Sequence, residues 1–323
     1  MKIKTTVTAV IFTITIFMVF QNCSQKQAEE KPEDVMQYKI AYNVFLDEEN
    51  DNYEVFSMNT DGTEKINISN HPGVDWVYYA FGDKVYFISD RDTCYRCFFL
   101  YETNAKGENI RQVSAVQLND SWMGSRKNGQ EMVVRPSSKL DSAFYIINLK
   151  GDILQKIYPG LPYLNDPVFS PDGNQVVFRG AHEKFKKDRK KPDELFLINT
   201  DGGGLKQLTH FPESDTTAEW HNYHAGPPQW NENTGFISYM SKQNGKYSIF
   251  FIKPEGGTAQ RLLPNETMTE SYHAWSPGGD WLVIEMKNEE GNYDIYLMDK
   301  KGEIKIRLTE SERLEQAPVF VKK

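Results

Sequence analysis

Six segments of ten residues decide how this chain is read: YEVFSMNTDG at 53–62, FFLYETNAKG at 98–107, SAFYIINLKG at 142–151, DELFLINTDG at 193–202, YSIFFIKPEG at 247–256 and YDIYLMDKKG at 293–302. They align without gaps, and their closing glycines are 45, 44, 51, 54 and 46 residues apart. The third column is always apolar (Val55, Leu100, Phe144, Leu195, Ile249, Ile295) and the fourth always aromatic (Phe56, Tyr101, Tyr145, Phe196, Phe250, Tyr296). Neighbouring positions on a strand point to opposite faces, so apolar residues in adjacent columns mean a sheet covered on both sides. The closing glycine supplies the positive φ that a tight turn needs.

Working outward, a second apolar stretch precedes each segment: IAY at 40–42, VYFIS at 85–89, MVV at 132–134, VVF at 176–178, FISY at 236–239 and WLVIE at 281–285. A short strand follows each glycine, and an inner strand with a Pro/Asp/Gly turn precedes several units, as in PVFSPDG at 167–173 and AWSPGG at 274–279. The repeat is therefore a four-stranded antiparallel unit, and the expected fold class is all-β, a six-bladed β-propeller. Radial closure removes long free sheet edges. Blade 1 lacks an inner strand at its start. Ala317-Pro318-Val319-Phe320 matches Asp166-Pro167-Val168-Phe169, so the C-terminal strand is expected to close the ring.

The motifs Phe169-Ser170-Pro171-Asp172-Gly173, Asn199-Thr200-Asp201-Gly202 and Gln207-Leu208-Thr209 resemble the repeats of TolB-like periplasmic propellers, and WSPGG with RLT repeats the pattern in blade 6. The resemblance covers roughly 38–323 and is weakest in blade 3. It implies a role in envelope integrity or transport. TolB carries an α/β domain before its propeller, whereas only a tether precedes blade 1 here, so that domain's docking role does not carry over. The same propeller type precedes the hydrolase domain of prolyl-oligopeptidase relatives, but the chain has no G-x-S-x-G elbow.

At the N-terminus, Lys2 and Lys4 precede an uncharged apolar run from Thr5 to Phe20, followed by Cys23. The run is short for a spanning helix and suits a signal peptide. The segment resembles a bacterial lipoprotein signal, which implies lipidation of Cys23. An uncleaved anchor and ordinary cleaved export are the alternatives. The expected organisation is a signal peptide at 1–22, the lipid-attachment Cys23 with a flexible tether at 23–37, and the propeller at 38–323. The folded part then lies in the periplasm or at the cell surface. A net charge of −8 argues against nucleic-acid binding.

The longest insertions belong to blade 4 and fall on the face that carries the loops between second and third strands. The first holds Lys184, Lys186, Lys187, Arg189, Lys190 and Lys191, a basic patch suited to an acidic surface. The alternative is a solvated charged loop. The second holds Trp220, His221, Tyr223 and His224. Hydrogen-bonded loop histidines with an aromatic contact surface are one reading of it. The other is a metal site built from His221, His224, Gln229 and His273, with His224 and His273 at one channel mouth. Oligogalacturonate lyase, a related propeller, holds a metal with His and Gln, although its ligand spacing is not reproduced. Cys94-x-x-Cys97 is expected to form a local disulfide outside the cytoplasm. The expectation is a monomeric, cofactor-free, non-enzymatic propeller that binds an envelope protein or cell-wall component through this face. The alternative is a metal-dependent polysaccharide lyase or a carbohydrate-binding propeller.

Overall fold

A computed structural model of the protein describes residues 32–184, 193–219, 221–263, 267–288 and 291–323. The expected signal segment and Cys23 lie outside the described residues. Six antiparallel four-stranded sheets follow one another as blades. Blades 2 to 6 run inner to outer in chain order, for example Tyr163–Phe169, Gln175–Ala181, Glu194–Asn199 and Lys206–Gln207 in blade 4. In blade 1 the inner strand is Glu315–Lys322, paired antiparallel to Tyr38–Asp47 with Ile40 opposite Phe320 and Ala41 opposite Val319. The chain's last strand thus closes its first blade, as the Pro-Val-Phe match implies.

The six third-column side chains are all completely buried. The blades therefore pack face to face, as where Phe144 of blade 3 meets Phe178 of blade 4 edge-on at 5.0 Å. All six turn glycines have φ between 77° and 89°. At Gly62 the requirement is double, because a Cβ there would lie 2.8 Å from the carbonyl oxygen of Leu308 in blade 6. Gly107 stands in the same relation to Ile68, and Gly151 to Val113.

In blades 1, 4 and 6 the hydroxyl after the outer strand has a fixed task. Ser69, Thr209 and Thr309 accept the backbone N–H of Val55, Leu195 and Ile295, each at 2.9 Å. The last residues of the expected tether are ordered: Pro32–Gln37 form a short 3₁₀ helix, and Val35 is buried in the core of blade 1. Burial of that apolar side chain ties the segment down. No helix among the described residues is long and apolar enough to cross a membrane.

In four blades the inner strand carries an extra residue against its neighbour. The register shifts lie between Val77 and Tyr79, between Asn165 and Val168, between Glu270 and His273, and opposite Tyr42 in blade 1. A bulge leaves one residue out of the ladder and re-aims its side chain. Tyr78, Asp166, Tyr272 and Ala317 occupy the equivalent positions, and Asp166 and Ala317 have positive φ.

Candidate functional site

Tyr78 from blade 2 stacks on Trp122, at the entry to blade 3, with ring centroids 4.0 Å apart. Trp122 in turn meets Tyr272 of blade 6 at 4.9 Å. Blades 3 and 6 stand opposite one another, so these rings close the channel at the axis. Asp166 positions them. Its carboxylate accepts the Trp122 backbone N–H at 3.0 Å and the Arg179 guanidinium at 2.6 Å, while its own N–H donates to Ser121. Arg179 also reaches Asp193 at 3.6 Å. Burial works to lower its pKa, but the Asp166 carboxylate, with Tyr163 and Tyr272, holds it above the ordinary value. Burial pushes the Tyr272 and Tyr78 hydroxyls up. The Asp120 carboxylate, which accepts the Tyr78 hydroxyl at 2.7 Å, is raised by its low-dielectric surroundings and by Asp166.

Above this floor, on the face of the short turns, a cavity of about 400 Å³ is lined by all six blades. Its wall is aromatic: Tyr79, Phe81, Phe169, Trp230, Trp275 and Phe320. Phe81, Phe169, Trp230 and Trp275 end their inner strands, and Phe320 lies two residues before the end of its own. The hydroxyls in the wall are engaged within the fold. Tyr79 pairs with Ser125 at 2.7 Å, Ser170 donates to Asp172, and Ser276 accepts the Trp281 N–H. Among the described residues the charged groups in the lining are Glu232 and Lys322. The site is a blind, mainly uncharged funnel, suited to apolar or aromatic groups that enter and leave by one mouth.

This mouth lies on the face opposite to the one expected from loop length. On the long-loop face, Lys184 is exposed, while Lys186, Lys187, Arg189, Lys190, Lys191 and Trp220 lie outside the described residues. The described part of the second insertion is bonded to itself and to neighbouring residues. Tyr223 donates to Asp215 at 2.8 Å and packs edge-on against Phe211. His221 lies between Lys242 and Glu219, and His224 Nδ1 accepts the Asp193 N–H at 3.3 Å. A second cavity, of about 560 Å³, lies at the flank of blade 4 beside these loops, and its buried Glu194 carboxylate already holds Thr209 and the Phe211 N–H.

His273 does not share a mouth with His224. It is 5% exposed, on the inner strand of blade 6, with Nε2 2.7 Å from Ser238 Oγ of blade 5. Burial lowers its pKa to about 4. Gln229 lines the funnel instead. The four expected metal ligands thus take up separate positions, and no group of three or more acidic, His or Cys side chains among the described residues is placed to hold a metal. Cys94 and Cys97 are joined by a disulfide, with Cα atoms 5.1 Å apart. The funnel aromatics were missed in the sequence, although a signal for them exists: an aromatic residue directly precedes the turn in Phe169-Ser170-Pro171, Trp275-Ser276-Pro277 and Phe81-Gly82.

No protein-family model matches the chain. A dipeptidyl-peptidase 5 of Porphyromonas endodontalis is 32% identical over 124 residues, which is 37% of this chain and 16% of that protein. A TolB homolog of Chlorobium chlorochromatii is 22% identical over 158 residues, 49% of this chain and 32% of the homolog. The chain's matches thus span a third or less of the length of these curated relatives. The crystal structure of TolB from Acinetobacter baumannii superposes with a TM-score of 0.68 at 16% identity, covering 89% of this chain and 68% of that one. With six four-stranded blades and a closing C-terminal strand, the chain is a six-bladed β-propeller whose fold is similar to that of TolB.

Proposed function

We propose that the protein is a non-enzymatic propeller of the bacterial envelope, anchored by lipid at Cys23, that binds a protein partner through the axial funnel. The observation that carries this reading is the blind aromatic cavity, to which five blades contribute rings. Rigid aromatic pockets that exclude water dominate protein-binding energy. A wall whose hydroxyls are already bonded offers few hydrogen bonds to a sugar, so exposed apolar or aromatic side chains of a protein loop suit it better than a cell-wall glycan. The basic insertion at 184–191 fits a steering role on the other face, because peripheral charge acts mainly on association rate.

Phe81, 41% exposed at the rim, is the residue to change. In pull-downs from envelope extract followed by calorimetry with the recovered protein, Phe81→Ala is expected to weaken binding by about 1–3 kcal/mol with an unchanged melting temperature. Charge reversal at Lys186, Lys187, Lys190 and Lys191 should slow association and leave the funnel contact intact. Retention of the partner by Phe81→Ala and Trp230→Ala, with its loss on charge reversal, would move the site to the long-loop face. Recovery of glycan rather than protein would replace the partner class.

A further inference from the structure

We propose that Cys94 and Cys97 form a thiol–disulfide exchange site for protein dithiols, independent of the funnel. The bond lies in the loop between the second and third strands of blade 2, with Cys94 exposed and Cys97 half-buried. Solvent-exposed disulfides are the exchangeable class, whereas bonds that stabilise a fold are mostly shielded. This one spans only three residues, so it removes little entropy from the unfolded chain. The fold does not need it as a staple, since blade 2 is already held by its strands and by both neighbouring blades.

The turn is also held without the bond. The Cys97 N–H donates to the Cys94 carbonyl at 2.8 Å, and the Thr93 hydroxyl donates to the Cys97 carbonyl at 2.9 Å. The Arg96 N–H donates to the Asp90 carboxylate at 2.8 Å, which supports the left-handed φ of Arg96. The Arg96 guanidinium pairs with Asp51 of blade 1 at 2.7 Å and covers the Trp76 ring. Reduction therefore leaves two thiols facing each other in an unchanged turn, ready to re-form the bond. Tyr95, between them, is 69% exposed and fixed by its hydroxyl on Asp51 at 2.6 Å. It presents a rigid aromatic anchor beside the exposed sulfur, a feature typical of protein docking.

The exchange balances. A partner thiolate attacks Cys94 Sγ and forms a mixed disulfide, and the electron pair of the broken bond leaves on Cys97 Sγ, which takes up a proton. The partner's second thiol, deprotonated, attacks its own sulfur in the mixed disulfide. The electron pair then leaves on Cys94 Sγ, which is protonated. The partner dithiol is oxidised by two electrons, and the Cys94–Cys97 pair is reduced by two.

The test uses the full chain carrying Cys23→Ser, so that only this pair is present, equilibrated in mixtures of reduced and oxidised glutathione. Alkylation and mass analysis give the reduced fraction, and melting in the same mixtures reports the fold. A reversible reduced fraction that follows the glutathione ratio is expected, with melting shifted by less than about 4 °C. With Cys97→Ser added, oxidised glutathione should label Cys94. With Cys94→Ser instead, labelling of the half-buried Cys97 should be at least about tenfold slower, as access governs exchange. A bond that reduces only when the protein unfolds, a reduced pair that does not re-form it, or equal labelling of the two cysteines would overturn the proposal.

Discussion

Trp122 and Tyr272 meet across the propeller axis with ring centroids 4.9 Å apart, although one enters blade 3 and the other belongs to the inner strand of blade 6. The contact makes the channel blind. It exists because the Tyr272 bulge turns a side chain inward and because Asp166 fixes the Trp122 backbone. A ligand of the proposed funnel would therefore be a projecting group, not a threaded polymer.

Trp122→Ala removes the middle ring of this closure. Truncation of a buried aromatic leaves a cavity and costs about 3 kcal/mol, while Trp122→Phe retains half or more of the contact. Guanidinium unfolding of the three proteins measures it. A Trp122→Ala protein within about 0.5 kcal/mol of the original would mean that the ring is dispensable to the axis.

Asp166→Asn leaves the Arg179 charge with Asp193 at 3.6 Å as its remaining carboxylate. Removing one partner of a largely buried pair is expected to cost about 3 kcal/mol, and the double change Asp166→Asn with Arg179→Met should recover part of it. Additive losses in that cycle would show that the two side chains are not coupled.

Glu285 carries a pH dependence. Burial raises its pKa to about 8, and it accepts the Ala317 N–H of the closing strand at 3.3 Å. The unfolded chain releases this proton near pH 4.5 and the folded chain only near pH 8. Between these values the folded state binds more protons, so stability is greatest below the unfolded pKa and falls as pH rises, by an amount on the order of 4 kcal/mol. His273, lowered to about 4, acts in the opposite sense below pH 6.5. The difference between wild type and Glu285→Gln isolates Glu285: the variant should gain relative stability steadily from pH 5 to 8. Parallel unfolding curves across that range would rule this out.

Gly62 and Gly82 separate two reasons for glycine. Both have positive φ, but a Cβ at Gly82 meets nothing within 4 Å, whereas at Gly62 it meets the Leu308 carbonyl at 2.8 Å. Gly82→Ala is expected to cost about 1 kcal/mol from the backbone alone, and Gly62→Ala about 2 kcal/mol or more, because blade 6 must shift. Equal melting temperatures for the two variants would contradict the close packing of blade 1 on blade 6.

Deletion of Gln316 to Lys323 removes the inner strand of blade 1 and with it the buried Val319, Phe320 and Val321. The loss should be about 5 kcal/mol or more, comparable to the whole stability of many domains. Circular dichroism melting checks it, and an unchanged transition would refute the closure.

The blades were legible in the sequence because their causes are local and repeated. Apolar residues in adjacent columns, the turn glycine at Gly62, Gly107, Gly151, Gly202, Gly256 and Gly302, and the hydroxyl at Thr209 and Thr309 recur at the same place in their units. Even the closure, a contact between the chain's two ends, could be read, since Ala317-Pro318-Val319-Phe320 repeats a motif already seen in blade 4. The axial funnel could not. Loop length points to the blade 4 insertions, where His221, Tyr223 and His224 are bonded within their own surroundings. His273 looked like a mouth residue, and the register of its strand turns it toward Ser238.

What the sequence by itself determined is the blade, its sixfold repetition and its closing strand, since apolar strand columns and turn chemistry are properties of short segments. Only the tertiary structure decided that Tyr78, Trp122 and Tyr272 share the axis and that the mouth above them is lined by Phe81, Phe169, Trp230, Trp275 and Phe320. These residues are spread over more than two hundred positions. They converge because each blade brings the end of its inner strand to a common axis, and because one extra residue per bulge decides which side chain turns into it.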